Sequence, residues 1–261
     1  MKKIGFLGAG NMGGALARAA AKCGKFEIIL SDKDKAKATF LSEEIGAMVG
    51  DIDALSECDV VFLGVKPNVI PSAISEIKDI IKSEALVVSM AAATDIKKIE
   101  ECFGRDVKVI RIMPNTPCAV GEGMILYAAN KAACEDVGLF LEVMADAGRC
   151  DALDERLIDA AACISGCGPA FVYMFAEALA DGGVACGLPR EKAILYAAKT
   201  LKGAAEVILS TDRHPEELKD AVCSPGGTTI EGVHALESGA FRATAQNAVI
   251  AAFKKTLLMK K

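Results

Sequence analysis

The chain of 261 residues has no tryptophan, three tyrosines and only two histidines. So few aromatics exclude a base-stacking surface for single-stranded nucleic acid. Its 30 Lys and Arg stand against 35 Asp and Glu and are scattered, so no basic stripe serves a phosphate backbone or an anionic membrane. No uninterrupted apolar run reaches about 18 residues, and no membrane span is expected. The opening MKKIGFLGAG passes at once into glycine-rich turn chemistry, so it reads as a first strand and not as a targeting segment. There is no Cys-x-x-Cys pair. Cys163 and Cys167, one helical turn apart, do not make a metal site on their own. The ten cysteines, spread from Cys23 to Cys223, read as reduced, buried thiols of a cytoplasmic protein.

What the chain does have is 52% hydrophobic residues in two rhythms. Up to about residue 150, short β-branched runs alternate with helical segments. KIGFLG, FEIILS, DVVFLGV, ALVVSM and VKVIRI read as strands; NMGGALARAAAKCG, VIPSAISEIKDIIK and DIKKIEECFG read as helices. Near-continuous apolar strands in this alternation predict a parallel sheet covered on both faces. Beyond that the strands stop and helical segments follow, many with Ala and Gly on faces that would otherwise be solvated. Small residues at that density suit close helix packing and a subunit interface. The expectation is an α/β chain: a doubly wound sheet domain over 1–152, then an all-α domain over 153–261.

Gly8-Ala9-Gly10-Asn11-Met12-Gly13 follows the first strand at Leu7 and opens a helix. In that context G-x-G-x-x-G is a dinucleotide-binding fingerprint of the Rossmann type. One glycine makes the tight turn, one admits the pyrophosphate to the backbone, and one lets helix and strand close up. The helix N-terminus adds N–H groups and positive potential. Asp32, ending the second strand, is placed to accept ribose hydroxyls and to repel a 2′-phosphate, or to cap the next helix. Lys33 and Lys35 lie close enough to offset its charge. Gly64, Val65, Lys66 and Pro67 end another strand and border the same crevice. Met90, Ala91 and Ala92 follow the next, with side chains small enough for a flat ring. Asn115, inside MPNTP, offers neutral hydrogen bonds at the nicotinamide end.

FLGAGNMGGAL, VKP, MPNTP, SGCGPAF and SPGGTTI, taken in order, resemble the pyrroline-5-carboxylate reductases over nearly the whole chain. The resemblance implies a Rossmann domain, an all-helical dimerisation domain, homodimers or larger rings of dimers, and reduction of a small cyclic imine by NADPH or NADH. It departs from the family's usual pattern at Cys167, where Ser is usual, and at Phe171, where Tyr is usual. Asp32 and Asp51 occupy the region where the family often has Ser, Arg or Asn around the 2′-phosphate. NADH is therefore expected to serve at least as well as NADPH.

The loop Ser224–Ile230 has no charged side chain. Gly226 and Gly227 let backbone N–H groups converge on a carboxylate, with the next helix adding positive potential. By resemblance, Gly227, Thr228 and Thr229 line the substrate, Ser224 is a neighbour, and the Thr229 hydroxyl orients the imine nitrogen or relays a proton to it. A plain Pro-Gly turn with threonine N-caps is the other reading. Glu155 reaches the coenzyme by the same resemblance or is a solvated helix carboxylate. His214 and His234 read as structural, and no metal is expected. The rival activities are reduction of another cyclic imine or of a small hydroxy acid's keto form on the same fold, or a non-catalytic dinucleotide-responsive regulator.

Overall fold

The structure is a computed structural model and describes residues Met1–Met259. Eight strands form one sheet: β1 (Lys2–Leu7), β2 (Phe26–Ser31), β3 (Met48–Val49), β4 (Val60–Leu63), β5 (Leu86–Ser89), β6 (Lys108–Met113), β7 (Gly123–Ala129) and β8 (Gly148–Ala152). Their spatial order is β3-β2-β1-β4-β5-β6-β7-β8. The order reverses between β1 and β4, which pair in parallel from Ile4↔Val60 to Leu7↔Leu63. The crevice beyond their C-terminal ends is where this architecture takes a ligand.

The sheet is mixed, which corrects the expectation of a wholly parallel one. β7 runs antiparallel to β6. Only a short 3-10 turn, Thr116–Val120, separates them, and that is too short for the crossover a parallel pair needs. β3, β7 and β8 also escaped the sequence reading. β3 is two exposed residues and β8, GRCDA, has no apolar run.

Both faces are covered by helices α1 (Asn11–Lys22), α2 (Lys35–Ile45), α3 (Ile70–Ile77), α4 (Ile96–Phe103) and α5 (Val137–Val143). One face packs Leu16, Leu41, Ile110 and Phe140 around the stacked rings of Phe6 and Phe62, 4.6 Å apart. The other packs Leu55, Ile70, Ile74, Ile99 and Phe103. Two covered faces are the reason the strands are apolar without alternation. Cys58 sits in the second cluster, where burial pushes its thiol up to about 12, so it is a packing group and not a nucleophile. The ten thiols are all free, but only Cys58, Cys118 and Cys163 are fully buried. Cys134, Cys167 and Cys186 are exposed, which corrects the expectation of uniformly buried thiols.

The chain divides into two compact units. The first is Met1–Cys167 together with the chain from Ala252 on. It therefore includes the helix α6 (Glu155–Ser165). The second is Gly168–Ala251. It contains α7 (Gly168–Ala185), α8 (Arg190–Ser210), α9 (Pro215–Val222), α10 (Thr228–Ser238) and most of α11 (Phe241–Met259). Its buried core is three alanines, Ala180, Ala193 and Ala197, with Val184 against them. Tyr173, Met174, Ile194, Leu195, Tyr196 and Leu209 are exposed. Helices with so little core of their own need a further apolar surface to cover them. The run Glu155–Ala185, with mean hydropathy 1.4, is long and apolar enough by composition to cross a membrane. It is nevertheless two helices, broken between Ser165 and Gly168.

Candidate functional site

The fingerprint turn is built from mutual close approach. Gly8 has φ +105°, a conformation L side chains rarely adopt. A Cβ on it would stand 2.7 Å from the Gly64 carbonyl oxygen, and one on Gly13 would overlap the Gly8 carbonyl oxygen. Gly8, Gly13 and Gly64 therefore let α1 and β4 close on β1. Gly10 differs, since nothing lies within 4 Å of the position its Cβ would take. Packing does not explain that glycine, whereas approach of a ligand does. Gly10 is also the N-cap of α1, whose first turn holds no acid and has no side-chain cap. No side chain therefore caps the first turn of α1, whose N–H groups carry the positive helix potential. These features fit a pyrophosphate.

Beside the turn is a cleft of about 300 Å³ lined by Leu7, Gly8, Gly10, Asp32, Lys33, Gly64, Val65 and Lys66, among others. Pro67 starts the 3-10 turn that carries the chain into α3. Met90 and Ala92 are half-buried and Ala91 is buried after β5. The turn closes through Ala93 at φ +55°, a left-handed conformation for a non-glycine residue. A larger groove of about 770 Å³, among Ile96, Tyr127, Asn130 and Glu155, shares no residue with the fingerprint. The chemistry of the smaller cleft, not size, marks it as the coenzyme candidate.

Asp32 is a strut. Its Oδ2 accepts the Ala9 N–H at 2.6 Å, and its Oδ1 accepts the Asp34 N–H at 2.8 Å. The cap of α2 is Asp34, not Asp32. Both nearby lysines already have acids: Lys33 Nζ is 3.2 Å from Glu76, and Lys35 pairs with Asp51. That hydrogen-bonded pair holds the Asp51 carboxyl below its usual range. Asp51 itself caps no helix with its side chain.

Two other residues have occupied side chains. Asn115 Oδ1 accepts the Met124 N–H and its Nδ2 donates to the Ser165 carbonyl, both at 2.9 Å. Glu155 is partly exposed, and its carboxylate is engaged. Its Oε1 accepts the Ile96 N–H at 2.7 Å, at the start of α4, and lies 3.5 Å from Arg111 Nη1. Arg111, fully buried in β6, donates to Asp159 of α6 at 2.5 Å. Sequence reasoning missed this pair, although an Arg inside VKVIRI and an Asp inside LIDAAAC are charges at core positions that must find each other.

In the second unit the Ser224–Gly227 turn has its own logic. The Gly227 N–H donates to the Ser224 carbonyl at 3.0 Å. Pro225 follows Ser224, and Gly226 has φ +67°. Proline followed by a glycine at positive φ is the signature of a type II turn. α10 then starts with Gly227 as N-cap and no side-chain cap, so Thr228 and Thr229 are not N-caps. Arg242 braces the flanking helices, donating to Glu237 of α10 at 2.6 Å and to Glu216 of α9 at 3.2 Å. His214 caps α9, its Nδ1 accepting the Glu216 N–H at 3.2 Å. Among the described residues no group of three or more His, Cys, Asp or Glu is arranged for a metal ion.

A family model for the dimerisation domain of pyrroline-5-carboxylate reductase matches residues 155–259. One described as NADP oxidoreductase, coenzyme F420-dependent, matches 3–93. A curated pyrroline-5-carboxylate reductase of Arabidopsis thaliana is 40% identical over 260 residues, covering 97% of this chain and 94% of its own. Pyrroline-5-carboxylate reductase 2 of Homo sapiens is 42% identical over 263 residues, covering 97% and 82%. The crystal structure of the Plasmodium falciparum pyrroline carboxylate reductase with NADP bound superposes with a TM-score of 0.90 at 34% identity, covering 100% of this chain and 98% of that one. Identity of this order, sustained from end to end and through both units, leaves one conclusion: the chain belongs to the pyrroline-5-carboxylate reductase family.

Proposed function

We infer that the chain reduces 1-pyrroline-5-carboxylate to L-proline with NADH or NADPH. The observation that carries the reading is the fingerprint turn with its open Gly10 and uncapped α1, on a chain of this family. Residues Leu7 to Gly13, Asp32, Asp51, Gly64 to Pro67 and Met90 to Ala92 hold the dinucleotide. When bound, that coenzyme supplies the hydride for the imine carbon. The remaining work belongs to the protein: to hold a small carboxylate, orient the ring and deliver a proton to nitrogen. Gly226 and Gly227, with the N-terminus of α10, bind the carboxylate through backbone N–H groups. Thr228 and Ser224 border the ring, and the Thr229 hydroxyl faces the imine nitrogen. In this reading a coenzyme domain over 1–152 carries the first set of residues and a helical domain over 153–261 the second.

The rival activities are not favoured by relatives that match the whole length. The test is to follow NADH and NADPH oxidation side by side with pyrroline-5-carboxylate and purified protein. Turnover with at least one coenzyme is expected, and none with either, in folded protein, overturns the reading.

The same assay addresses the coenzyme. Lys33 is answered by Glu76 and Lys35 by Asp51, so neither is committed to the Asp32 charge. A 2′-phosphate beside it meets about 1 kcal/mol of repulsion per pair at 4 Å in a water-like dielectric. NADH is expected to give a kcat/KM at least equal to that of NADPH, and Asp32→Ser to shift the ratio toward NADPH. A strong wild-type preference for NADPH, or no shift in the variant, contradicts this.

The apolar faces of α7 and α8 support a homodimer built through the helical half, and a ring of dimers is the larger assembly to look for. Light scattering at micromolar concentration is expected to give at least twice the chain mass; an active monomer refutes it. The free cysteines support a reducing, cytoplasmic setting.

A further inference from the structure

We propose that Asn115 is a positioning residue whose side-chain amide replaces the backbone N–H that Pro169 withholds from α6. In an uninterrupted helix the Ser165 carbonyl would accept from the N–H four residues on. That residue is Pro169, which has none. The last turn of α6 ends at Ala162 O: Gly166 N–H makes the regular bond four residues back to it at 2.8 Å, and Cys167 N–H, whose regular acceptor would be Cys163, goes to the same oxygen at 3.1 Å. The Ser165 carbonyl lies beyond this closing turn, and Asn115 Nδ2 donates to it at 2.9 Å. The amide has only one workable orientation, because its Oδ1 accepts the Met124 N–H at the start of β7. Asn115 is 8% exposed, so these bonds are shielded from competing water. The residue ties the end of β6, the start of β7 and the end of α6 to one another. Both ends of its side chain are committed to backbone, which turns the nicotinamide-facing role read from the sequence into a supporting one.

The segment so held, Ser165–Pro169, is where the chain passes from the first unit to the second. The coenzyme residues precede it in the chain and the 224–230 loop follows it. Misplacement of about 1 Å by a distant substitution costs a reaction of this kind about 100-fold. This step rests on the reductase reading above.

Asn115→Asp keeps an acceptor for Met124 and removes the donor to Ser165. It is expected to lower kcat with pyrroline-5-carboxylate by about 100-fold and to leave coenzyme affinity, read by fluorescence titration, unchanged. Weakened coenzyme affinity with an unchanged kcat overturns the proposal, because it places the amide on the coenzyme. Thermal melting supplies a readout independent of turnover. Pro169→Ala restores an N–H at position 169, so Asn115→Ala should lower Tm less in that background than in wild type. Additive losses of Tm overturn the proposal. Wild-type protein without turnover would refute the reductase reading alone, since the melting cycle still decides the role of Asn115.

Discussion

Thr229→Ala is expected to lower kcat for imine reduction between about ten- and ten-thousand-fold, the range spanned by loss of a proton-transfer group. Coenzyme affinity should hardly move. Reduction of a C=N bond needs a proton on nitrogen as well as a hydride on carbon, and Thr229 is the residue assigned to the nitrogen. An unperturbed hydroxyl is too weak an acid to protonate an amine unaided. The role proposed for it is then to hold the nitrogen by a hydrogen bond and to pass on a proton from water. The structure adds one relevant fact: α10 is capped by Gly227, so the Thr229 hydroxyl is not spent on capping the helix. Two neighbours make the test discriminating. Thr229→Ser retains a hydroxyl and should keep most of the rate. Thr228→Ala, one position earlier on α10, should act mainly on KM. If Thr229→Ala turns over at the wild-type rate, Thr229 leaves the chemistry and only the backbone of the loop remains as a candidate.

The parts of this molecule legible in the sequence were those governed by one local rule. Continuous apolar strands between amphipathic helices give a sheet covered on both faces. Gly8, Gly10 and Gly13 at their spacing give a tight turn before a helix; close backbone contacts require Gly8 and Gly13, and Gly10 faces open space. β7 was not legible, because its antiparallel direction follows from the brevity of the β6–β7 connection. The backbone partners of Asp32 and Asn115 were not legible for a different reason. Each sits at the C-terminal end of a strand bordering the crevice, the position from which a ligand contact is inferred. Their polar atoms also hold backbone groups: those of Ala9 and Asp34 for one, Met124 and Ser165 for the other. A side chain's partners depend on which distant backbone groups the fold leaves unsatisfied, and spacing along the chain does not report them.

Arg111 and Asp159 show the same limit in charge, and they carry the largest expected effect on stability. Asp159→Ala removes the partner 2.5 Å from a guanidinium that is buried completely, leaving Glu155 at 3.5 Å. Arg111 Nε is already buried without a hydrogen bond. Breaking a buried ion pair on one side costs about 3–5 kcal/mol, because the remaining charge stays desolvated. For a chain of this size that lowers Tm by on the order of 10 °C. Glu155→Gln should cost far less. The Glu155 side chain is 29% exposed and its contact with Arg111 is long. A glutamine oxygen can still accept the Ile96 N–H that Glu155 now accepts at 2.7 Å. Replacing both members of the buried pair by apolar residues of similar volume, Arg111→Met with Asp159→Leu, should recover much of the loss, since a well-packed apolar pair is often equivalent in stability. Thermal melting of the three variants decides the matter. If Asp159→Ala melts within about 2 °C of wild type, a shift worth less than about 1 kcal/mol, the buried pair contributes little. If the double replacement is no better than Asp159→Ala, the cost lies in packing at that site and not in a stranded charge.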